Sequence, residues 1–213
     1  MEKKDIQDGN IFMMCEKVNE NAYIEIPKGF HLRKLKEKEL DLWMEFPFDN
    51  DKDKKIYKNF MIKYYNDVYL MKKDLFFNSC LVLCDNEDKP VSTCFAWKAY
   101  DKFWTIHWFK TLKHYEGKKL GRAILTQVMK TIPKDEYPVY LHTQPGSFRA
   151  IKIYSDFGFN ILTDEKIGKH NNDYRDSLDY LKSQMGGFFK DLKFVKSDET
   201  FSIEVEKHCI NEF

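Results

Sequence analysis

The chain has no run of about 18 apolar residues, the length a membrane-crossing helix needs, so no transmembrane span and no membrane partner are expected. Its opening, MEKKDIQDGN, carries none of the apolar core of a secretory signal, and the expected location is cytoplasmic. Charge of one sign is not in excess either. The 35 Lys and Arg stand against 34 Asp and Glu, a formal charge of +1. A nucleic-acid binder would show a basic surplus or stripe, so that class of partner is excluded from the expectation. The five cysteines (Cys15, Cys80, Cys84, Cys94, Cys209) are odd in number and irregular in spacing. Cys80 and Cys84 have no further Cys or His at ligand spacing, so buried free thiols and no metal are expected. There is no repeat, no low-complexity segment and no Pro/Gly/Ser linker to divide the chain. Gly-x-Ser-x-Gly, His-Glu-x-x-His, P-loop and dinucleotide-binding glycine motifs are all missing.

What is present is a chain of 213 residues, 43% apolar and 16% aromatic. That is long enough for one well-filled domain with extensions. Residues 1–25 are polar apart from Ile11–Cys15 and read as an N-terminal extension outside a single domain spanning 26–213. Gly29–Leu35 reads as a strand, and the segment Lys38–Phe48 has helical apolar spacing closed by Pro47. Lys54–Lys73 repeats Tyr, Phe, Ile and Met every three to four residues. This is a long amphipathic helix or a broken pair, its rings serving as core or as the wall of a cleft. Ser79–Cys84, Val91–Tyr100 and Phe103–Leu112 read as three consecutive antiparallel strands. Next come a helix over Lys119–Thr131, a strand over Val139–Thr143 and a helix over Phe148–Phe157 stopped by Gly158. A strand over Phe159–Glu165 and a helix within Asp173–Phe189 follow. Thr200–Glu206 alternates and reads as a last strand.

The most informative stretch is Trp104 to Leu162. Its first half sets a glycine turn and two lysines, Glu116-Gly117-Lys118-Lys119-Leu120-Gly121, between an apolar strand and an amphipathic helix. Backbone N–H groups at a helix N-terminus have no intrahelical partner and carry partial positive charge. An anion such as a diphosphate satisfies both deficits.

These residues resemble the diphosphate-binding signature of the GCN5-related N-acetyltransferase (GNAT) superfamily, Gln/Arg-x-x-Gly-x-Gly/Ala. Gly117 and Gly121 fit it, Arg122-Ala123-Ile124-Leu125 continue the helix, and two positions depart. Glu116 stands in place of Gln/Arg, and Lys119 in place of the central glycine. A lysine there adds a charge for phosphate but is disfavoured if the turn requires positive φ. The second half, Ser147-Phe148-Arg149-Ala150-Ile151-Lys152-Ile153-Tyr154, resembles the family's Asn-x-x-Ala-x-x-x-Tyr. The resemblance covers about residues 30 to 162. It implies an α/β (α+β) GNAT fold, with a mixed, mostly antiparallel sheet splayed between its fourth and fifth strands and flanked by helices.

The same resemblance implies acetyl-CoA as co-substrate. It would be bound by the main chain of Lys110, Thr111 and Leu112 along pantetheine, by Glu116, Gly117, Lys118, Lys119, Leu120, Gly121 and Arg122 at the diphosphate, and by Ser147. It implies Tyr154 as the acid that protonates the leaving thiolate. His107 resembles a histidine used by arylalkylamine N-acetyltransferases and is the candidate base, with His142 second. Glu45 and Asp49 are placed to receive a cationic amine instead. The expected activity is acetyl transfer to a primary amine of a small molecule, with a homodimer as the one self-association considered. A non-catalytic acyl-CoA-binding protein of the same fold and a peptide N-terminal acetyltransferase are the alternatives.

Overall fold

The computed structural model describes residues 5–210 together with 212 and 213. Ten strands are formed: β1 Ile11–Cys15, β2 His31–Lys34, β3 Leu81–Cys84, β4 Pro90–Ala99, β5 Phe103–Thr111, β6 Val139–Thr143, β7 Asn160–Leu162, β8 Lys166–Ile167, β9 His170–Asn171 and β10 Phe194–Val195. The α-helices are α1 Leu40–Glu45, α2 Asp51–Val68, α3 Lys73–Ser79, α4 Leu120–Met129, α5 Phe148–Asp156, α6 Tyr174–Met185 and α7 Glu199–Lys207. Eight strands make one sheet in the order β10-β7-β1-β6-β5-β4-β3-β2, while β8 and β9 form a separate ribbon. Among the described residues only β5–β6 and β10–β7 are parallel pairs. The fold is the expected mixed, mostly antiparallel sheet with helices on both faces.

Alternation along the strands sends two different sets of side chains to the two faces. One face receives Ile106, Leu141, Ile11 and Met13, which pack with Ala123, Ile124 and Val128 of α4, Ile151 of α5 and Leu181 of α6. The other receives Phe95, Trp97, Tyr140 and Phe12, packed with Trp43 of α1, Met61 and Tyr65 of α2, Phe76 of α3 and Phe201 of α7. Local signals fit these elements. Asn50 caps α2 by accepting from Asp53 N–H at 2.9 Å, and Gly158 takes φ +99° just past α5, where a side chain is disfavoured.

Three expectations are corrected. Within the stretch 1–25, of which 5–25 are described, β1 is no extension: it sits inside the sheet between β6 and β7, with every one of its residues buried. Its insertion makes the strands expected to be fourth and fifth the fifth and sixth here. Thr200–Glu206 is not a strand but belongs to α7. Asp198 caps that helix by accepting from Thr200 N–H, and it buries Phe201 and Val205 four residues apart. The strand expected from Ser79 begins at Leu81, because Ser79 closes α3.

Candidate active site

The sheet forks in its middle. β5 and β6 pair through two positions only, Thr105↔Tyr140 and Ile106↔Leu141, and then diverge. The cause lies in β5. Opposite β4 the register moves from Phe95↔His107 to Thr93↔Lys110, so Trp108 and Phe109 together face the single residue Cys94. This is a β-bulge, which bends its strand and re-aims the residues beyond it. Trp108 takes φ +49° to make it. Left-handed backbone costs a non-glycine residue about 1–2 kcal/mol, so something must hold the indole in place.

Beyond the bulge one edge of β5 stays bonded to β4. Leu112 N–H donates to Val91 O (2.9 Å), and Lys110 O accepts from the Ser92 hydroxyl (3.0 Å). Main-chain groups alternate sides along a strand, so those of Phe109 and Thr111 face the gap toward β6. The expected trio of Lys110, Thr111 and Leu112 is therefore corrected: Thr111 and Phe109 present the free edge, while Lys110 and Leu112 are spoken for by β4. The Lys110 ammonium pairs with Asp49 at 2.8 Å, tying the α1–α2 connection to this limb.

The turn before α4 opens onto the same place. Gly117 and Lys119 both adopt positive φ (+78° and +63°), and the first bond of the helix runs from Ala123 N–H to Lys119 O. None of the N–H groups of residues 117–122 donates to another described residue. They form the row of donors an anion requires, at the positive end of a ten-residue helix. Lys119 thus fills the departure from the family signature at a local cost, and its side chain is exposed. Lys118 is exposed too, its ammonium 4.8 Å from the centre of the Tyr115 ring. Glu116 is outside the donor row, since its N–H already donates to Lys113 O. The Arg122 guanidinium pairs with Asp156, which leaves its main chain for the turn. Leu120 is buried and anchors the helix start.

Gly121 is where turn, fork and second motif meet. A Cβ there would lie 3.0 Å from Phe109 Cζ and 3.5 Å from Ile153 Cδ1, so only a glycine lets α4 approach β5 and α5 this closely. Phe109 in turn packs on Tyr154, with ring centres 5.3 Å apart. The Tyr154 side chain is buried and its hydroxyl has no hydrogen-bond partner among the described residues. Burial raises its pKa well above the ordinary value of 10, with the Cys94 thiol adding to the shift. The group is a protonated donor at neutral pH. Ser147 stands exposed at the start of α5, with its own N–H donating to Gln144 O at 2.9 Å.

His107 is on the opposite face of the sheet from Tyr154. Its Nδ1 lies 2.6 Å from Tyr69 Oη and its Nε2 2.7 Å from Thr105 Oγ1. The donors settle the proton positions. Trp108 Nε1–H can only donate, and it does so to Tyr69 Oη at 3.0 Å. The Thr105 hydroxyl donates its proton to Trp97 O at 2.9 Å, so His107 Nε2–H donates to Thr105 and Nδ1 accepts from Tyr69, whose hydroxyl also meets that of Tyr64. The main chain of Glu212 also lies against the imidazole, and burial lowers its pKa from 6.5 to about 3. A ring with both nitrogens engaged offers no lone pair to an incoming amine, which corrects the candidacy of His107 as base. His142 follows the last β6 residue paired with β5 and is itself paired with Phe12 of β1; it is stacked on the Phe12 ring (4.7 Å) and within 3.1 Å of Asn10 Oδ1. Glu45 lies 3.7 Å from Lys54. Sequence reasoning missed Tyr69 and Trp108 as parts of this site. The bulge depends on a pairing shift and a hydrogen bond across 39 positions, and neither leaves a local signal.

The cysteines fit the expectation of free thiols. Cys15, Cys80, Cys84 and Cys94 are buried and Cys209 is exposed. The one cluster with metal-ligand chemistry among the described residues is His31, Cys84 and Asp88.

A family model described as acetyltransferase (GNAT) family matches residues 39–159. No curated protein is similar enough in sequence to count as a relative. Among solved structures, a GCN5-related N-acetyltransferase from Sphaerobacter thermophilus is similar at a TM-score of 0.53 and 15% identity, over 73% of this chain and 49% of that one. This chain thus spans about half the length of that protein. A Pyrococcus horikoshii protein is similar at a TM-score of 0.50 and 18% identity, over 65% of this chain and 93% of that one. Identities this low speak for the fold alone.

Proposed function

The chain belongs to the acetyltransferase (GNAT) family, and from that premise we propose that it transfers an acetyl group from acetyl-CoA to a primary amine of a small molecule. The observation that carries this reading is the convergence at Gly121. There the Phe109 ring links the row of unpartnered N–H groups to the buried protonated tyrosine: a Cβ at Gly121 would lie 3.0 Å from its Cζ, and its centre is 5.3 Å from that of Tyr154.

Acetyl-CoA supplies the activated acyl group as a thioester. The N–H groups of residues 117–122 suit its diphosphate, and the outward main-chain groups of Phe109 and Thr111 suit the amides of pantetheine, as an added strand would bond to a sheet edge. The fork then admits the thioester end. A neutral amine attacks the carbonyl carbon, the C–N bond forms, the C–S bond breaks, and the amine's surplus proton passes to solvent. The Tyr154 O–H donates its proton to the departing sulfur, so coenzyme A leaves as the thiol. The chain's near-neutral charge and its ring-rich early helices favour a small acceptor over a basic protein tail.

Calorimetric titration with acetyl-CoA tests the binding part. Micromolar binding by the native chain, lost in Gly121→Glu while the thermal transition of the variant stays cooperative, is the expected result. No binding by the native chain would overturn the reading.

A further inference from the structure

The bulge at Trp108 opens the fork, and a buried polar chain reaches it from the other face of the sheet. The indole N–H is bonded to Tyr69 Oη, that hydroxyl to His107 Nδ1, and His107 Nε2 to Thr105 Oγ1, which closes on the main chain of Trp97. Tyr69 comes from the residue just beyond α2 and is fully buried. The rings of Trp43 and Tyr64 meet Trp108 edge to face at 5.7 and 5.4 Å. Those rings exclude water, but their contacts are not directional enough to fix a rotated backbone. The hydrogen bond from the indole is.

The Trp97 carbonyl orders the protons from one end, and the indole N–H donates at the other. The Tyr69 hydroxyl also meets that of Tyr64, and the imidazole also meets the main chain of Glu212. Removing the Tyr69 hydroxyl takes a partner from the part-buried indole N–H and from the buried imidazole Nδ1. A network satisfied in this way favours one arrangement, and here that arrangement includes the left-handed residue at which β5 leaves β6.

We propose that Tyr69 and His107 are positioning residues of the acetyl-transfer site, which lock the Trp108 bulge and so hold the fork open for acetyl-CoA. This rests on the acetyl-CoA reading of the fork. Neither side chain touches the reacting atoms. Both act through Trp108, across the thickness of the sheet from Tyr154.

The test uses Tyr69→Phe and Trp108→Phe, which keep a ring and delete one end each of the same hydrogen bond. Each is expected to weaken acetyl-CoA binding by about tenfold, the size of one lost buried hydrogen bond. The KM for acetyl-CoA should rise by the same factor while kcat changes less. The double variant should bind no worse than the weaker single one, because both remove one interaction. A purely structural role would lower the melting temperature and leave the KM alone, so Kd and KM unchanged in folded Tyr69→Phe overturns the proposal. If Tyr69→Phe does not fold, Trp108→Phe carries the test, since it leaves the buried hydroxyl and imidazole bonded to each other. A second readout separates this proposal from the one it rests on. In the native chain the Trp108 indole 15N–H resonance should shift on Tyr69→Phe with no ligand present. If that shift is seen but the native chain binds no acetyl-CoA, the lock stands and the acetyl-CoA reading fails. If the indole resonance does not move, the lock itself is wrong.

Discussion

The two faces of the sheet are built from different materials. The face under α4, α5 and α6 is mostly aliphatic: Ile, Leu, Val and Ala pack with few polar atoms among them. The face under α1, α2, α3 and α7 is mostly aromatic, with Trp43, Tyr69, Phe76, Phe95 and Trp97 meeting edge to face. The aliphatic face presents the donor turn and Tyr154, and the aromatic face carries the hydrogen-bonded chain behind the bulge. The difference teaches a division of labour. Aliphatic side chains let a glycine-started helix press close to a strand, as at Gly121. Rings with polar tips can bury a hydrogen-bond chain, which aliphatic side chains cannot.

The comparison breaks most severely if the aromatic face is hollowed. Phe76 is fully buried against Trp43, Tyr65, Tyr69 and Phe95. Phe76→Ala should cost about 3–5 kcal/mol of stability, measured by urea unfolding. A loss under about 1 kcal/mol would mean that the rings fail to form one packed core. On the aliphatic face the largest effect expected is on rate. Tyr154→Phe should lower kcat by on the order of a hundredfold with acetyl-CoA affinity nearly intact, since it removes the acid and keeps the ring. Unchanged turnover would take Tyr154 out of the mechanism.

A smaller effect distinguishes the faces by pH. Burial holds His107 neutral, with its pKa lowered to about 3, so between pH 6.5 and 3 the unfolded chain binds a proton that the folded chain does not. Its contribution is therefore complete above pH 6.5 and declines as the pH falls, by up to ~1.4 kcal/mol per pH unit. Urea unfolding at pH 7.5, 6.5 and 5.5 should show that decline, and His107→Gln should flatten it. Equal slopes in the two chains would mean the imidazole is not buried. The smallest effect concerns the turn. Lys119→Gly relieves a left-handed lysine and should stabilise by up to ~1 kcal/mol, offset in part by the greater freedom of glycine when unfolded. A loss of stability would mean that the Lys119 side chain makes a contact worth more than the strain.

Much of the aliphatic face was legible in the sequence. From Phe103 to Phe157 each element follows its neighbour, the apolar period is clean, and the glycines stand at the turn and past the helix end, so local signals suffice. β1 was not legible, because IFMMC is buried on both faces and has no alternation to detect. α7 was misread because Thr200–Glu206 alternates over a short run. The cap at Asp198 and the four-residue spacing of Phe201 and Val205 were the better signal. The candidate site divides in the same way. The donor turn and Tyr154 are motif positions, whereas the partner of His107 comes from 38 residues earlier along the chain. Whether an imidazole is a base or a strut depends on that partner.

The placement of β1 has a consequence for how the molecule is made. Its partners, β6 and β7, come late in the chain: Ile11 pairs with Thr143, and Met13 with Ile161. During synthesis β1 leaves the ribosome before either of its partners and must wait, unpaired and wholly apolar, while β2 to β5 can zip up as successive neighbours. The two sheet halves can close only when this early segment is captured between late ones, a loop closure over most of the chain. Assembly of the sheet is thus expected to be slow at its last step, with IFMMC as the segment most exposed to wrong partners before then.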